Sequence, residues 1–337
     1  MPILTFAVET SCDETSVAIL SDYNVLSNII SSQYFHSEYG GIVPELASRA
    51  HIKAIDKIVS SAFEKSGIKN NDINLVAATK GPGLIGSLLV GYNYAKAFSI
   101  VLNIPFIGIN HIESHLFSCF IGQDEIEFPF IALVVSGGHT ILFLVEGYTN
   151  YKVLGATQDD AAGEAFDKVA KMLGLEYPGG PVIDKLAKDG DENYHIFPSA
   201  NLKDKIYDFS FSGVKTSVLY FLKKNFGNER ANLPLNDICA SFQKAVVSSL
   251  VEKTMIAVKG FKIKTIAVSG GVSANSRLRK EFIKFEKDGF KIQFPEKIYS
   301  TDNAAMIGYY GYLKYKHSTN INLESELLDH AFARFEY

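Results

Sequence analysis

One order of elements runs through this chain twice, and it points to a duplicated α/β architecture. In the first part, residues 3–8, 15–20 and 25–31 are short apolar and β-branched runs. They are joined through the polar corners Thr10-Ser11-Cys12-Asp13-Glu14 and Ser21-Asp22-Tyr23-Asn24. Residues 45–65 then carry Leu46, Ala50, Ile55, Ile58, Val59 and Ala62 near one helical face. Residues 75–79 read as a strand, 84–102 as an apolar helix entered through Gly81-Pro82-Gly83, and 106–109 as another strand. The second part repeats the plan. Residues 130–135 and 140–145 form a hairpin and 152–156 a third strand. Helices follow over 161–173, 181–188, 212–224 and 235–258, then strand 265–268, helix 275–285, strand 292–294 and a last helix over 302–315. The stretch 190–202 has the weakest pattern and reads as a surface loop. Strands alternating with helices in this order predict two α/β lobes, each around a mixed sheet, with a cleft between them. The length of 337 residues agrees with about two domains. The first lobe is expected over 1–109, with 303–337 returning to it. The second is expected over 110–302.

Val135-Ser136-Gly137-Gly138 and Val268-Ser269-Gly270-Gly271 are the same four residues, each at the exit of a strand. Paired glycines there leave backbone N–H groups bare and let a phosphate or an acyl group approach; the plain alternative is a simple chain turn. His111-Ile112-Glu113-Ser114-His115 places two histidines four apart, with Cβ atoms about 6 Å apart on one helix face, which suits two ligands of a single metal. Two helical histidines facing solvent or core are the alternative. Ile112 stands where a zincin carries Glu, so this is not the HExxH protease arrangement. Asp302, at the start of the final helix, is the candidate third ligand, and two His with one Asp leave open positions for substrate.

Gly81-Pro82-Gly83-Leu84-Ile85-Gly86 fits G-x-G-x-x-G between a strand and a helix. That strand is not the first of the fold, and no acidic residue follows the next strand at Ile109-Asn110, so close helix–sheet packing is the favoured reading. No Walker P-loop occurs. Glu9-Thr10-Ser11-Cys12-Asp13-Glu14-Thr15 packs three carboxylates into one strand corner, which is costly unless they meet cations, water or a substrate. Asp159 or Asp160 suits a helix N-cap. Asp167 and Asp184 are candidates to face a cleft with Gly179-Gly180-Pro181. Asn275 begins a helix after Gly270-Gly271, a place to contact a phosphate or adenine, or simply to cap that helix.

Composition narrows the class. The net charge is -4, so no basic field announces tight autonomous nucleic-acid binding. The groups Lys223-Lys224, Lys262 with Lys264, and Arg277, Arg279 and Lys280 read as solvated faces. Cys12, Cys119 and Cys239 are odd in number and far apart, which suits a reducing compartment. The apolar N-terminus lacks a basic region and reads as a buried strand, and no run of about 18 uninterrupted apolar residues predicts a membrane span. A cytoplasmic protein is expected.

Together these residues resemble the bacterial tRNA N6-adenosine threonylcarbamoyltransferase catalytic subunits (the TsaD family, formerly described as O-sialoglycoprotein endopeptidases). The resemblance rests on VETSCDETSVAI at the N-terminus, GGIVPELASRAH at 40–51, TKGPGLIGSLLVG at 79–91, HIESH at 111–115 and VSGGHT at 135–140. It continues through DDAAGEAFDKVAKMLGLEYPGGP at 159–181, FSFSGVKT at 209–216, SGGVSAN at 269–275 and TDNAAMIG at 301–308. Ser114 stands where the family pattern has Gly.

The resemblance implies the actin-like fold shared with Hsp70 and sugar kinases, with a central interlobe cleft. It implies transfer of the threonylcarbamoyl group from threonylcarbamoyl-AMP to N6 of the adenosine 3′ of the anticodon, in tRNAs reading codons that begin with A. The product is t6A and AMP leaves. His111, His115 and Asp302 are then the metal ligands, for iron or else zinc. Val134, Val135, Ser136, Gly137, Gly138, Asp167, Gly180, Asp184 and Asn275 are the contacts to the adenylate, with ATP or AMP as other occupants of the same site. His139 lies beside them, and Asp13 and Glu14 are the candidates to orient or deprotonate the attacking amine. The implied partners are tRNA, a paralogous actin-like subunit (TsaB) and a small P-loop ATPase (TsaE), with no membrane.

An ATP-dependent kinase or ATPase of the actin-like class is the alternative function; a metalloprotease and a non-catalytic binding partner rank below it. Across the duplication, residues 9–14 pair with 136–139, and 81–86 with 270–275. The first Val-Ser-Gly-Gly turn is expected to hold the reacting acyl-phosphate end of the ligand, and the second its adenosine end.

Overall fold

A computed structural model describes residues 1–39, 41–198, 205–227, 232–317 and 323–334. Residues 199–202 of the expected loop, and Gly40 of the 40–51 motif, lie outside the described residues. In chain order the elements begin with β1 (Leu4–Glu9), β2 (Glu14–Ser21), β3 (Asn24–Ser32), α1 (Pro44–Ser66), β4 (Leu75–Gly81), α2 (Ile85–Leu102), β5 (Phe106–Asn110) and α3 (His111–Phe117). Then come β6 (Phe130–Val135), β7 (Thr140–Val145), β8 (Tyr151–Ala156), α4 (Ala162–Met172), α5 (Gly179–Ala187), α6 (Ser212–Phe226), α7 (Leu235–Phe261), β9 (Thr265–Ser269), α8 (Ser276–Ile283) and β10 (Lys291–Gln293). The chain ends with α9 (Ala304–His317) and α10 (Leu323–Leu328).

The two sheets have the same order, β3-β2-β1-β4-β5 and β8-β7-β6-β9-β10. Their strand directions match as well. β1 runs antiparallel to β2 and parallel to β4, as β6 does to β7 and β9. The outer pairs agree: β2–β3 and β7–β8 are antiparallel, and β4–β5 and β9–β10 are parallel. The repeat expected from the alternating patterns is therefore present strand by strand. β1 and β6 read as nearly unbroken apolar runs because each is a central strand, buried along its length.

The chain divides into two compact units, one made of Met1–Glu127 with Pro295–Tyr337 and the other of Phe128–Phe294. The boundaries thus fall after α3 and before Asp302, rather than at 109/110 and 302/303, and place His111, His115 and Asp302 all in the first unit. Packing gives the reason. On α3, the Phe117 ring stacks on Tyr310 of α9 at 4.8 Å, and the Tyr310 hydroxyl donates to Glu113 Oε2 at 2.9 Å.

In the first unit, α1 buries Ala47, His51, Ile55, Val59 and Ala62, one per turn, and stops at Gly67 in the left-handed conformation (φ 69°). Helix α2 is long and apolar enough to cross a membrane by length and composition alone. Its Leu88, Gly91, Tyr92 and Ala95 are nonetheless buried in this unit's core, and the Gly91 N–H donates to Thr10 Oγ1. Helix α9 is buried from Ala304 to Leu313. The second unit packs α4, α6 and α7 on its sheet through Phe166, Val218, Phe242, Val246, Leu133 and Val268.

Candidate metal centre and glycine-turn site

The register of the first sheet builds the candidate metal centre. β5 ends at Asn110, whose side chain caps α3 by accepting from the Ile112 and Glu113 N–H groups (2.9 and 3.3 Å). That cap starts the helix with His111 in its first position and His115 one turn on. Both are buried, and their rings meet edge to face at 4.8 Å. Asp302, in the turn before α9, brings Oδ1 to 3.4 Å from His111 Nε2 and 3.3 Å from His115 Nε2. One ligand atom from each of the three residues lies within 4.8 Å of the other two.

The charges around these atoms suit a cation. Burial disfavours the Asp302 carboxylate, but the charges and hydrogen bonds of His111 and His115 outweigh it and hold its carboxyl well below the usual range. Burial likewise opposes a charged His111, but the Asp302 and Glu9 carboxylates raise it well above an ordinary histidine. His115 is lowered, by burial first. Burial, with Asp302 and Asp13 beside it, pushes Glu14 up to about 10. Burial and the carboxylates of Asp13, Asp302 and Glu14 push the Cys12 thiol up too. So many acids around two imidazoles lack positive charge. Two histidine nitrogens and a carboxylate oxygen are the donor set that binds iron or zinc with positions left open. The donor set and its charge therefore fit a divalent ion.

Two residues given no individual role in the sequence reading, Glu9 and His51, hold this corner together. Glu9, at the end of β1, accepts from the Ser11 N–H and from Thr79 Oγ1, and lies 3.2 Å from His111 Nδ1. His51 of α1 sits 2.8 Å from Thr15 Oγ1 and 3.0 Å from the Cys12 carbonyl oxygen, which fixes the backbone that presents Asp13 and Glu14. The signals were an acid ending a buried strand and a histidine on the apolar face of α1. Their partners lie up to 102 positions away.

The second unit gathers the other candidates at the ends of β6 and β9, where ligands bind in sheets of this kind. Val134 and Val135 are buried β6 residues. Ser136 to His139 make a tight turn, with the Ser136 N–H donating to the His139 carbonyl (2.8 Å) and the His139 N–H to Ser136 Oγ (3.1 Å). Gly137 and Gly138 are exposed, and a Cβ on either would meet nothing within 4 Å. Two other glycines allow close packing around this turn. A Cβ on Gly163 would lie 2.6 Å from the Ser136 carbonyl oxygen, and one on Gly270 (φ 86°) would strike the Val135 carbonyl oxygen.

Asp167 already accepts from the Gly179 N–H (2.7 Å) and from Gly180, tying α4 to the start of α5, and burial raises its carboxyl. Asp184 accepts from the Ser276 N–H and hydroxyl (3.2 and 2.8 Å). Asn275 caps α8 through Leu278 N–H (3.0 Å) and donates to Gln243 Oε1 (2.7 Å). Asp159 is bound by Ser210 Oγ and the Phe211 and Ser212 N–H groups. Asp160 is held by Lys168 and Lys215 at 2.6 and 2.7 Å. The structure thus clusters Val134–Gly138, His139, Asp167, Gly180, Asp184 and Asn275 on the second unit, and His111, His115, Asp302, Asp13 and Glu14 on the first.

Comparison with known proteins adds the following. The family model described as tRNA N6-adenosine threonylcarbamoyltransferase (TsaD) matches residues 24–309. A tRNA N6-adenosine threonylcarbamoyltransferase of Dictyoglomus turgidum is 49% identical over 333 residues, 97% of this chain and 99% of the relative. One of Thermosipho africanus is 51% identical over 316 residues, 93% of this chain and 95% of the relative. Among solved structures, component A of the Acidaminococcus fermentans (R)-2-hydroxyglutaryl-CoA dehydratase is similar with a TM-score of 0.55 at 15% identity, over 93% of this chain and 99% of that one. HypF of T. kodakarensis is similar with a TM-score of 0.61 at 13% identity, over 94% of this chain and 49% of that one. These structural likenesses bear on the fold alone, which is the actin-like ATPase fold.

Proposed function

The chain belongs to the tRNA N6-adenosine threonylcarbamoyltransferase family, and from this we infer that it transfers the threonylcarbamoyl group of threonylcarbamoyl-AMP to N6 of an adenosine in tRNA. It thereby forms t6A next to the anticodon of tRNAs reading ANN codons and releases AMP. The observation that carries this reading is an identity of about half over nearly the whole chain with transferases of that name. A kinase or ATPase activity is not favoured by those relatives.

His111 and His115 would hold a divalent ion through their Nε2 atoms, with Asp302 through its carboxylate; iron is the first choice and zinc the second. When bound, that ion supplies Lewis acidity toward a carbonyl or phosphate oxygen. Gly137 and Gly138 would offer their backbone N–H groups to charge developing on the acyl or phosphate oxygens, supported by their exposure. Val134, Val135 and His139 would line that end. Gly180, Asp167, Asp184 and Asn275 would shape the adenosine end, although Asp167, Asp184 and Asn275 reach it with part of their bonding capacity already used. Asp13 and Glu14 would orient the attacking amine; a Glu14 carboxyl raised to about 10 suits a hydrogen-bond donor better than a base at neutral pH.

A paralogous actin-like subunit and a P-loop ATPase complete the proposed system in the cytoplasm. The apolar side chains of Ile52, Ile85, Leu89, Ile100 and Val101, all exposed on α1 and α2, support a protein partner. The test is mass spectrometry of tRNA nucleosides after incubation with the adenylate, iron and both partners. We expect t6A with the wild-type chain and none with His111→Ala. Full modification by His111→Ala would remove the metal-centred reading, and absence of t6A with the wild type would remove the transferase reading.

A further inference from the structure

We propose that Glu9 is a positioning residue that fixes His111 in its Nδ1–H tautomer, leaving the Nε2 lone pair free for the cation. The inference rests on the metal-centred reading above and deepens it. A neutral imidazole carries one proton, and a ligating nitrogen must be bare. On His111, Nε2 faces Asp302 Oδ1 together with His115 Nε2. On the opposite edge, Nδ1 faces Glu9 Oε2 at 3.2 Å and Ser11 Oγ at 3.3 Å. An ionised carboxylate only accepts, so the proton between Nδ1 and Glu9 belongs to the ring. Glu9 also accepts from the Ser11 N–H and from Thr79 Oγ1, so both of its oxygens act as acceptors.

Glu9 is itself held from two further directions. Its side chain is 1% exposed. β1 pairs with β4 in the register Val8↔Ala78, which sets Glu9 beside Thr79 at the end of that ladder. Thr79 Oγ1 donates to Oε2 and the Ser11 N–H to Oε1, so each carboxylate oxygen has a donor besides His111 or opposite it. The acid cannot turn away without stranding those donors in a buried site. It is also not a ligand, because its oxygens address the edge of His111 remote from Nε2. His115 has no equivalent support: its Nδ1 is buried without a hydrogen-bond partner among the described residues. Among the described residues, Glu9 is the carboxylate that addresses the remote edge of a candidate ligand histidine in this centre. Carboxylate partners of this kind raise the basicity of a ligating histidine, and their loss typically weakens metal binding 10–100-fold.

The experiment is a Co2+ titration of the metal-stripped full-length chain, followed by its visible ligand-field bands, for wild type, Glu9→Gln, Thr79→Val and His111→Ala. Melting temperature is measured alongside. Glu9→Gln, nearly isosteric, is expected to weaken Co2+ binding by about 10–100-fold, with Thr79→Val weaker in the same direction by a smaller factor. Long-range 1H–15N spectra of the Zn2+-loaded wild type should show the His111 proton on Nδ1. A merely structural role for Glu9 would lower the melting temperature and leave the Co2+ dissociation constant unchanged, which would overturn the proposal. Wild-type binding that His111→Ala abolishes and Glu9→Gln leaves intact sinks the proposal and spares the metal-centred reading. No Co2+ binding by the wild type sinks both. If Glu9→Gln does not fold, Thr79→Val decides, and unchanged affinity with an unchanged tautomer overturns the proposal.

Discussion

Asp302 is shared by both imidazoles, so its loss removes one of the three candidate ligands and leaves Glu9, on the far edge of His111, as the carboxylate beside the pair. Asp302→Ala is expected to lower t6A formation by about a thousandfold, the equivalent of several kcal/mol of lost stabilisation, as read by nucleoside mass spectrometry. The variant should stay folded, since the Asp302 side chain is a quarter exposed. A second residue-scale prediction concerns Asp160. Burial opposes its charge, but hydrogen bonds and charges from Lys168 and Lys215 prevail and hold its carboxyl below the usual aspartate range. A carboxyl lowered on folding stabilises fully above its unfolded value, and that stabilisation disappears as pH falls through the folded value. Asp160→Asn is therefore expected to cost about 1 kcal/mol at pH 7. The gap from wild type should narrow toward pH 3 in chemical denaturation; a gap that widens on acidification would contradict the assignment. The meeting of His111, His115 and Asp302 was legible because two histidines at helical spacing need only one more donor. Glu9 and Thr79 were not, because they meet only through strand register, and His111 joins them from 102 positions away.

At the scale of elements, the turns after β6 and β9 depend on each other. Gly270, at φ 86° and ψ 166°, occupies backbone space that only glycine adopts readily, and a Cβ there would strike the Val135 carbonyl. Gly270→Ala is expected to cost at least about 2 kcal/mol and to displace the Ser136–His139 turn, seen as a lowered midpoint in denaturant and as amide shifts at Gly137 and Gly138. A midpoint equal to wild type would refute it. The strands and helices themselves were readable from periodicity, since β1, β6 and β9 are apolar runs and α1 carries one apolar stripe. Their ends were less so. α9 begins at Ala304, leaving Asp302 in the preceding turn, and the expected helix over 275–285 ends at Ile283. The limit between the units was the largest miss. Nothing near α3 signals that Tyr310, far along the chain, supplies the surface against which Phe117 packs.

On the scale of the whole molecule, the second unit is one continuous segment, Phe128–Phe294, whereas the first needs both ends of the chain. The excised segment 128–294 is expected to unfold cooperatively on its own, because its sheet and core residues all lie within it. Residues 1–127 alone, without the buried helix α9, should not. Thermal melts followed by circular dichroism distinguish the two, and a non-cooperative melt of 128–294 would contradict the division. This discontinuity has a consequence for biosynthesis. His111 and His115 leave the ribosome long before Asp302, and every residue of the second unit is made in between. A nascent chain can complete its second unit while the first still lacks Asp302 and the buried helix α9. Two histidines without Asp302 offer an ion only two of the three candidate ligands, so an ion taken up before that residue emerges would be held weakly and exchanged.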